Sequence, residues 1–176
     1  MQDALMAEEQ KNRPSSWVIQ SLFGFEVGSF LQDVSRARKI GDRGFVLQTE
    51  LSAKRPYDVF SKVKLYYTKE DAMLYRVQLL STLKVRPDKK KMRDRLEEIS
   101  DSVGAKFKDI LVMRKKGNLN VAEFVKNYGQ SLKLSLVPDS VDRGQGLTEA
   151  TGLRFELDFC DNELYENGLH SVRFKK

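Results

Sequence analysis

Apolar and polar residues alternate in several stretches of the chain, and these stretches set its expected architecture. Phe45 to Leu51 reads as a strand, with Leu47, Thr49 and Leu51 on one face. Val63, Leu65 and Tyr67 alternate with Lys62, Lys64 and Tyr66, and after the polar tetrad Thr68 to Asp71 come Met73, Tyr75, Val77 and Leu79. Two alternating runs joined by a polar turn predict a hairpin. Leu132, Leu134 and Leu136 alternate with Lys133 and Ser135 up to Pro138. The most regular run sets Leu153, Phe155, Leu157 and Phe159 against Arg154, Glu156, Asp158 and Cys160. Asp139 to Thr151, polar and holding Gly144 and Gly146, reads as a loop; Asp161 to Gly168 reads as a turn-rich connection before a last strand, Leu169 to Phe174.

Helical spacing is clearest from Pro87 to Ala105. Met92, Leu96, Ile99 and Val103 recur on one face, Asp88 is placed to cap the start, and Gly104 to cap the end. Phe30 to Ile40 fits a short helix, as does Val121 to Tyr128, capped by Asn120 and closed by Gly129. Ahead of these, residues 1–16 read as a flexible or frayed segment broken at Pro14, and Trp17, Leu22, Phe23 and Phe25 as residues docking onto a core. The expectation is an α+β domain over 17–176, an antiparallel β-sheet packed against one main helix. Its halves follow a similar order and admit an α-βββ-α-βββ pseudo-repeat.

Composition narrows the function classes more than it selects one. A chain of 176 residues, 40% hydrophobic and 32% charged, buries enough surface to fold without a disulfide or metal. One cysteine, Cys160, precludes an intrachain disulfide and a four-cysteine zinc site. The single histidine, His170, would have to serve any Ser-His-Asp or Cys-His site. The formal charge of +6 permits attraction to nucleic acid, acidic proteins or anionic membranes without choosing among them. No apolar run approaches the roughly 20 residues that span a bilayer. The start, MQDALMAEEQKNRPSSW, lacks the basic-then-apolar order of an export signal. That fits a cytoplasmic protein, or an exported one whose signal has been removed.

Two basic clusters stand out: Arg86, Lys89, Lys90, Lys91, Arg93 and Arg95 around the helix start, and Arg114, Lys115 and Lys116. They would suit a phosphate-tracking surface, with Tyr66 as a stacking platform, but the interleaved Asp88, Asp94, Glu97 and Glu98 dilute the field and favour a solvated helix face and charged turn. The carboxylates Glu156, Asp158, Asp161 and Glu163 suggest a calcium site or a glycosidase-like pair, or else an exposed strand face beside Arg154. Cys160 and His170 lie on strands that would allow a nucleophile–base pair, although a lone thiol on a strand is usually inert. The glycine pairs Gly24/Gly28 and Gly41/Gly44 lack the Gly-Lys-Ser/Thr pattern of a phosphate loop.

The segments LFGFEVGS, LYRVQL, LEEISDSVGAKF, KNYG, LKLSLV and LRFELDFCD follow one another in an order that resembles small uncharacterised bacterial α+β domains of the exported or lipoprotein-like kind. The long stretch from Lys106 to Val125 departs from that outline. The resemblance implies an extracytoplasmic, periplasmic or lipid-anchored setting, and carries no catalytic residues. With no convergent ligand set, neither cofactor nor metal is expected. The leading expectation is a non-enzymatic interaction domain with a protein partner, of an inhibitor or immunity-like kind. It would use the exposed sheet face or the stretch from Pro138 to Thr151. The alternative is nucleic-acid or anion binding through residues 86–95 and 114–116.

Overall fold

A computed structural model describes residues 18–40, 44–52, 57–107, 113–116, 121–124 and 129–167. The alternating runs pair as strands β4 (Phe45–Glu50), β5 (Phe60–Tyr67), β6 (Leu74–Ser81), β10 (Gln130–Gly144) and β11 (Leu147–Asp161). With β3 (Arg38–Lys39), β7 (Lys84–Val85), β8 (Met113–Lys116) and β9 (Val121–Phe124) they form a nine-stranded antiparallel sheet. Its order is β3-β4-β5-β6-β11-β10-β9-β8, with β7 pairing onto β11 off that path. Two meanders, β4-β5-β6 and β9-β10-β11, thus meet at β6 and β11, where Leu79 faces Leu157 and Val77 faces Phe159. The element order is βββ-α-βββ, with β7 and β8 added; the helix expected before the first set, Phe30 to Ile40, does not form.

One helix, α1 (Lys89–Lys106), covers one face of the sheet. Asp88 caps it by accepting from the Lys91 N–H at 3.2 Å. Met92, Leu96, Ile99 and Val103 are buried among Val63, Leu65, Val77, Leu79, Leu132, Leu134, Leu157 and Phe159. Side chains this deeply buried contribute about 1.5–3 kcal/mol each. The hairpin of β1 (Ser21–Leu22) and β2 (Phe25–Glu26) adds Ile19 and Leu22 to this core. The Lys106 ammonium stands 5.4 Å from the Phe23 ring centroid, 5.9 Å from that of Tyr57 and 5.6 Å from that of Phe107, tying the hairpin to the helix C-terminus.

Several expectations are corrected. The stretch Phe30 to Ile40 is not a helix: Phe30 bridges Met73, and only a 3-10 turn forms at Val34–Arg36, where Asp33 accepts from Ser35. Met73 and Tyr75 do not share a face with Val77 and Leu79. A bulge pairs Tyr66 with Arg76 but Tyr67 with Leu74, so Leu74 takes the core position and Met73 and Tyr75 join a second cluster with Leu164. Helix α1 runs through Gly104 to Lys106, where the buried Phe107 donates its N–H to Val103. Val121 begins a strand, because pairing with Lys133 to Ser135 overrides local helix preference.

The expected loop from Asp139 to Thr151 is instead the far part of the β10–β11 ribbon. Its turn is Gln145-Gly146, with φ of 53° and 74°, a mirror-image turn suited to a two-residue hairpin. The connection after β11 is a short helix, α2 (Asn162–Asn167), whose Leu164 N–H is capped by the buried Asp161 at 2.9 Å. The expected strand Leu169 to Phe174 and the N-terminal segment 1–16 lie outside the described residues.

Candidate functional site

The sheet face opposite α1 is polar, and its register lays the side chains out as a grid. One row across it holds Val46, Tyr66, Arg76 and Cys160; the next holds Gln48, Lys64, Gln78, Asp158 and Lys133; the third holds Glu50, Lys62, Leu80, Glu156 and Ser135. Apolar residues point to the α1 side at the intervening positions, as alternation in paired strands demands. The main hydrophobic cluster lies on that α1 side alone.

The grid is cross-linked diagonally at the seam between β6 and β11. The Arg76 guanidinium donates twice to Asp158, from Nε at 2.8 Å and from Nη2 at 2.7 Å. It also lies 4.7 Å from the centroid of the Tyr66 ring, so that ring face is already taken by a cation. Tyr66 donates its hydroxyl proton to Gln78 at 3.0 Å, and the Gln78 amide donates onward to Glu156. Three strands, β5, β6 and β11, thus carry one connected network, in which each long side chain is held by its diagonal neighbour. The Asp158 carboxylate holds the Arg76 guanidinium further toward its charged form, against the opposing effect of burial. Burial pushes the Tyr66 hydroxyl above the usual tyrosine range, partly offset by Arg76.

At one end of this face an aromatic file continues the network. Tyr66 and Tyr75 approach at 6.5 Å, and Tyr75 and Tyr165 at 4.7 Å. Burial holds the Tyr75 hydroxyl up at about 12. Cys160 sits beside this cluster and donates to Asn162 Oδ1 at 3.3 Å.

The sequence-level candidates are distributed, not gathered. Glu156 and Asp158 belong to the network, whereas Asp161 is buried at the start of α2, where Gln130 and Leu164 donate to it. The four carboxylates therefore do not converge. Among the described residues no group of three or more His, Cys, Asp or Glu could hold a metal ion. His170 lies outside the described residues. Arg86, Lys89, Lys90, Lys91 and Arg93 are exposed around the start of α1, next to β7, which pairs with Gly152 and Leu153. Arg114, Lys115 and Lys116 lie on the edge strand β8, with β9 and β10 between it and β11. Arg76 and Gln78, central to the network, give one local signal in the sequence: polar residues between the apolar Tyr75, Val77 and Leu79.

The Nε of Arg154, on the same face, is buried without a hydrogen-bond partner. The Arg95 guanidinium, by contrast, is shared between Asp58 at 2.6 Å and Glu98 at 2.7 Å, away from this face.

No protein-family model, curated protein or solved structure matches this chain.

Proposed function

We propose that this chain is a non-enzymatic binding domain that engages a protein partner through the polar face of its sheet, in an inhibitory or sequestering role. The observation that carries this reading is the connected network of Tyr66, Gln78, Glu156, Arg76 and Asp158 on the face that α1 leaves uncovered. Side chains already fixed by one another lose little entropy on binding, so such a face is preorganised for contact. Tyrosine and arginine at its centre are the residue types that most often anchor an interface.

The dimensions also suit a protein partner. From β4 to β9 there are five inter-strand steps of about 4.8 Å, and an eight-residue strand runs about 27 Å. That is roughly 600 Å², on the order of the ~800 Å² that each side of a standard interface contributes. The ribbon beyond Gly152 extends past the strands that flank it and adds backbone edge for further contact.

Photo-crosslinking residues introduced at Lys64 and Lys133, with Glu97 on the exposed side of α1 as control, test the reading in cells that express the protein. The two sheet positions should trap the same protein, and the double substitution Arg76→Ala with Asp158→Ala should abolish the product. Crosslinks arising from Glu97 alone would refute the assignment. So would turnover of ester, phosphate or glycoside substrates that disappears on Asp158→Ala.

A further inference from the structure

We propose a second docking surface, separate from the sheet face: the basic shoulder at residues 84–91, which binds the surface of an anionic lipid bilayer. Lys84, Arg86, Lys89, Lys90 and Lys91 are all exposed, and none of their charged groups has a partner among the described residues. The one carboxylate in this stretch, Asp88, is engaged as the cap of α1. Elsewhere on the helix the cations are balanced by Asp94, Glu97, Glu98 and Asp101.

Three local features set the course of this stretch. Strand β7 is drawn tightly onto β11 because Gly152 has no side chain; a Cβ there would stand 2.6 Å from the Lys84 carbonyl oxygen. Arg86 adopts φ of 52°, turning the chain sharply before Pro87. Helix α1 then opens with three consecutive lysines and no acidic residue in its first turn. That order opposes the helix macrodipole and the lysines repel one another, so the free protein carries an electrostatic cost that an anionic surface relieves.

A bilayer fits better than a nucleic acid for two reasons. Val85, between Lys84 and Arg86, is 68% exposed, the highest among the exposed large apolar side chains of the described residues. An apolar side chain there gains by entering the lipid interface and gains nothing on a phosphate backbone. Residues 84–95 contain no aromatic ring on which a base would stack. Each cation brought to an anionic leaflet strengthens partitioning by about fivefold, so five of them amount to about three orders of magnitude over a neutral bilayer.

The test is co-sedimentation of the full chain with phosphatidylcholine vesicles, with and without about one-third phosphatidylserine. Anisotropy with a fluorescent duplex oligonucleotide runs in parallel. Binding should require phosphatidylserine, fall with added salt, and weaken by at least about 25-fold when Lys89→Glu and Lys90→Glu are combined. Lys89→Arg with Lys90→Arg should preserve it. Val85→Ser should weaken vesicle binding several-fold and leave oligonucleotide binding unchanged, and Lys62→Glu with Lys64→Glu, on the sheet face, should leave vesicle binding intact. The proposal is overturned if the chain ignores phosphatidylserine vesicles at low salt, binds neutral ones equally, or loses binding as much through the sheet-face pair. Tighter, Val85-independent binding to the duplex overturns it too, and assigns the shoulder to nucleic acid.

Discussion

Replacing Gln130 by leucine isolates the worth of a single buried amide. Gln130 is fully buried, and its side chain acts as a surrogate strand neighbour for the N-terminal segment. Its Oε1 accepts from the Ile19 N–H at 2.7 Å, while Nε2 donates to the Ile19 carbonyl at 2.8 Å and to Asp161 Oδ2 at 3.1 Å. Leucine has nearly the same volume but neither donor nor acceptor, so both polar groups of Ile19 are stranded. Each buried unpaired group costs about 1–3 kcal/mol. Better burial of the leucine side chain returns about 1 kcal/mol, leaving a net loss of about 1–5 kcal/mol. For a chain of this size that lowers Tm by about 2–20 °C, measurable by circular dichroism. Hydrogen exchange at the Ile19 amide should accelerate more than global unfolding requires. Gln130→Glu provides a control with a pH signature. The introduced carboxylate faces Asp161 and has no donor, so it is costly above its raised folded pKa; the deficit shrinks as pH falls through that value and protonation restores a donor. A Gln130→Leu protein within about 0.5 kcal/mol of wild type, with Ile19 still protected, would refute the reasoning.

Four further outcomes follow from the same structure. Burial raises the hydroxyls of Tyr57, Tyr66, Tyr67 and Tyr75, the last to about 12. The unfolded chain ionises first, near pH 10, so stability should fall between pH 10 and about 12, with tyrosinate absorbance rising together with loss of ellipticity. A double-mutant cycle on Arg76→Leu and Asp158→Asn should show about 1 kcal/mol of coupling, modest because the side chains are 33% and 21% exposed; additive effects would deny the pair. Gly152→Ala should cost about 2 kcal/mol and release β7 from β11, detectable as faster exchange of the β7 amides. Lys89→Glu with Lys90→Glu should raise stability by about 0.5 kcal/mol per site, since carboxylates suit the first turn of α1.

What could be read from the chain depended on how local the cause was. Helix α1 was legible because Asp88 and the Met92–Leu96–Ile99–Val103 spacing are both contained within it. Strand β9 was not, since Val121 to Phe124 take their conformation from β10 rather than from their own propensity. The ribbon beyond Gly152 read as a loop because its sequence is polar and holds Gly144 and Gly146 without apolar alternation, whereas the backbone pairs across it. The bulge that turns Met73 and Tyr75 away from the main core arises from mismatch between two strands and leaves no mark on either. The same holds for the polar face: Tyr66, Glu156 and Asp158 were visible individually, but the link from Arg76 to Asp158 joins positions 82 residues apart.

That separation bears on how the protein is made. The seam between β6 and β11 joins Arg76–Leu80 to Glu156–Cys160, so the centre of the sheet closes only after synthesis has passed Cys160, about 80 residues beyond β6. Contacts of such long range make for slow folding. Until Leu147–Asp161 arrives, the mainly apolar β6 presents an open backbone edge, a template for pairing between nascent chains. A chain arrested before Leu147 therefore favours aggregation, and a helper that shields β6 during synthesis should raise the yield of native protein.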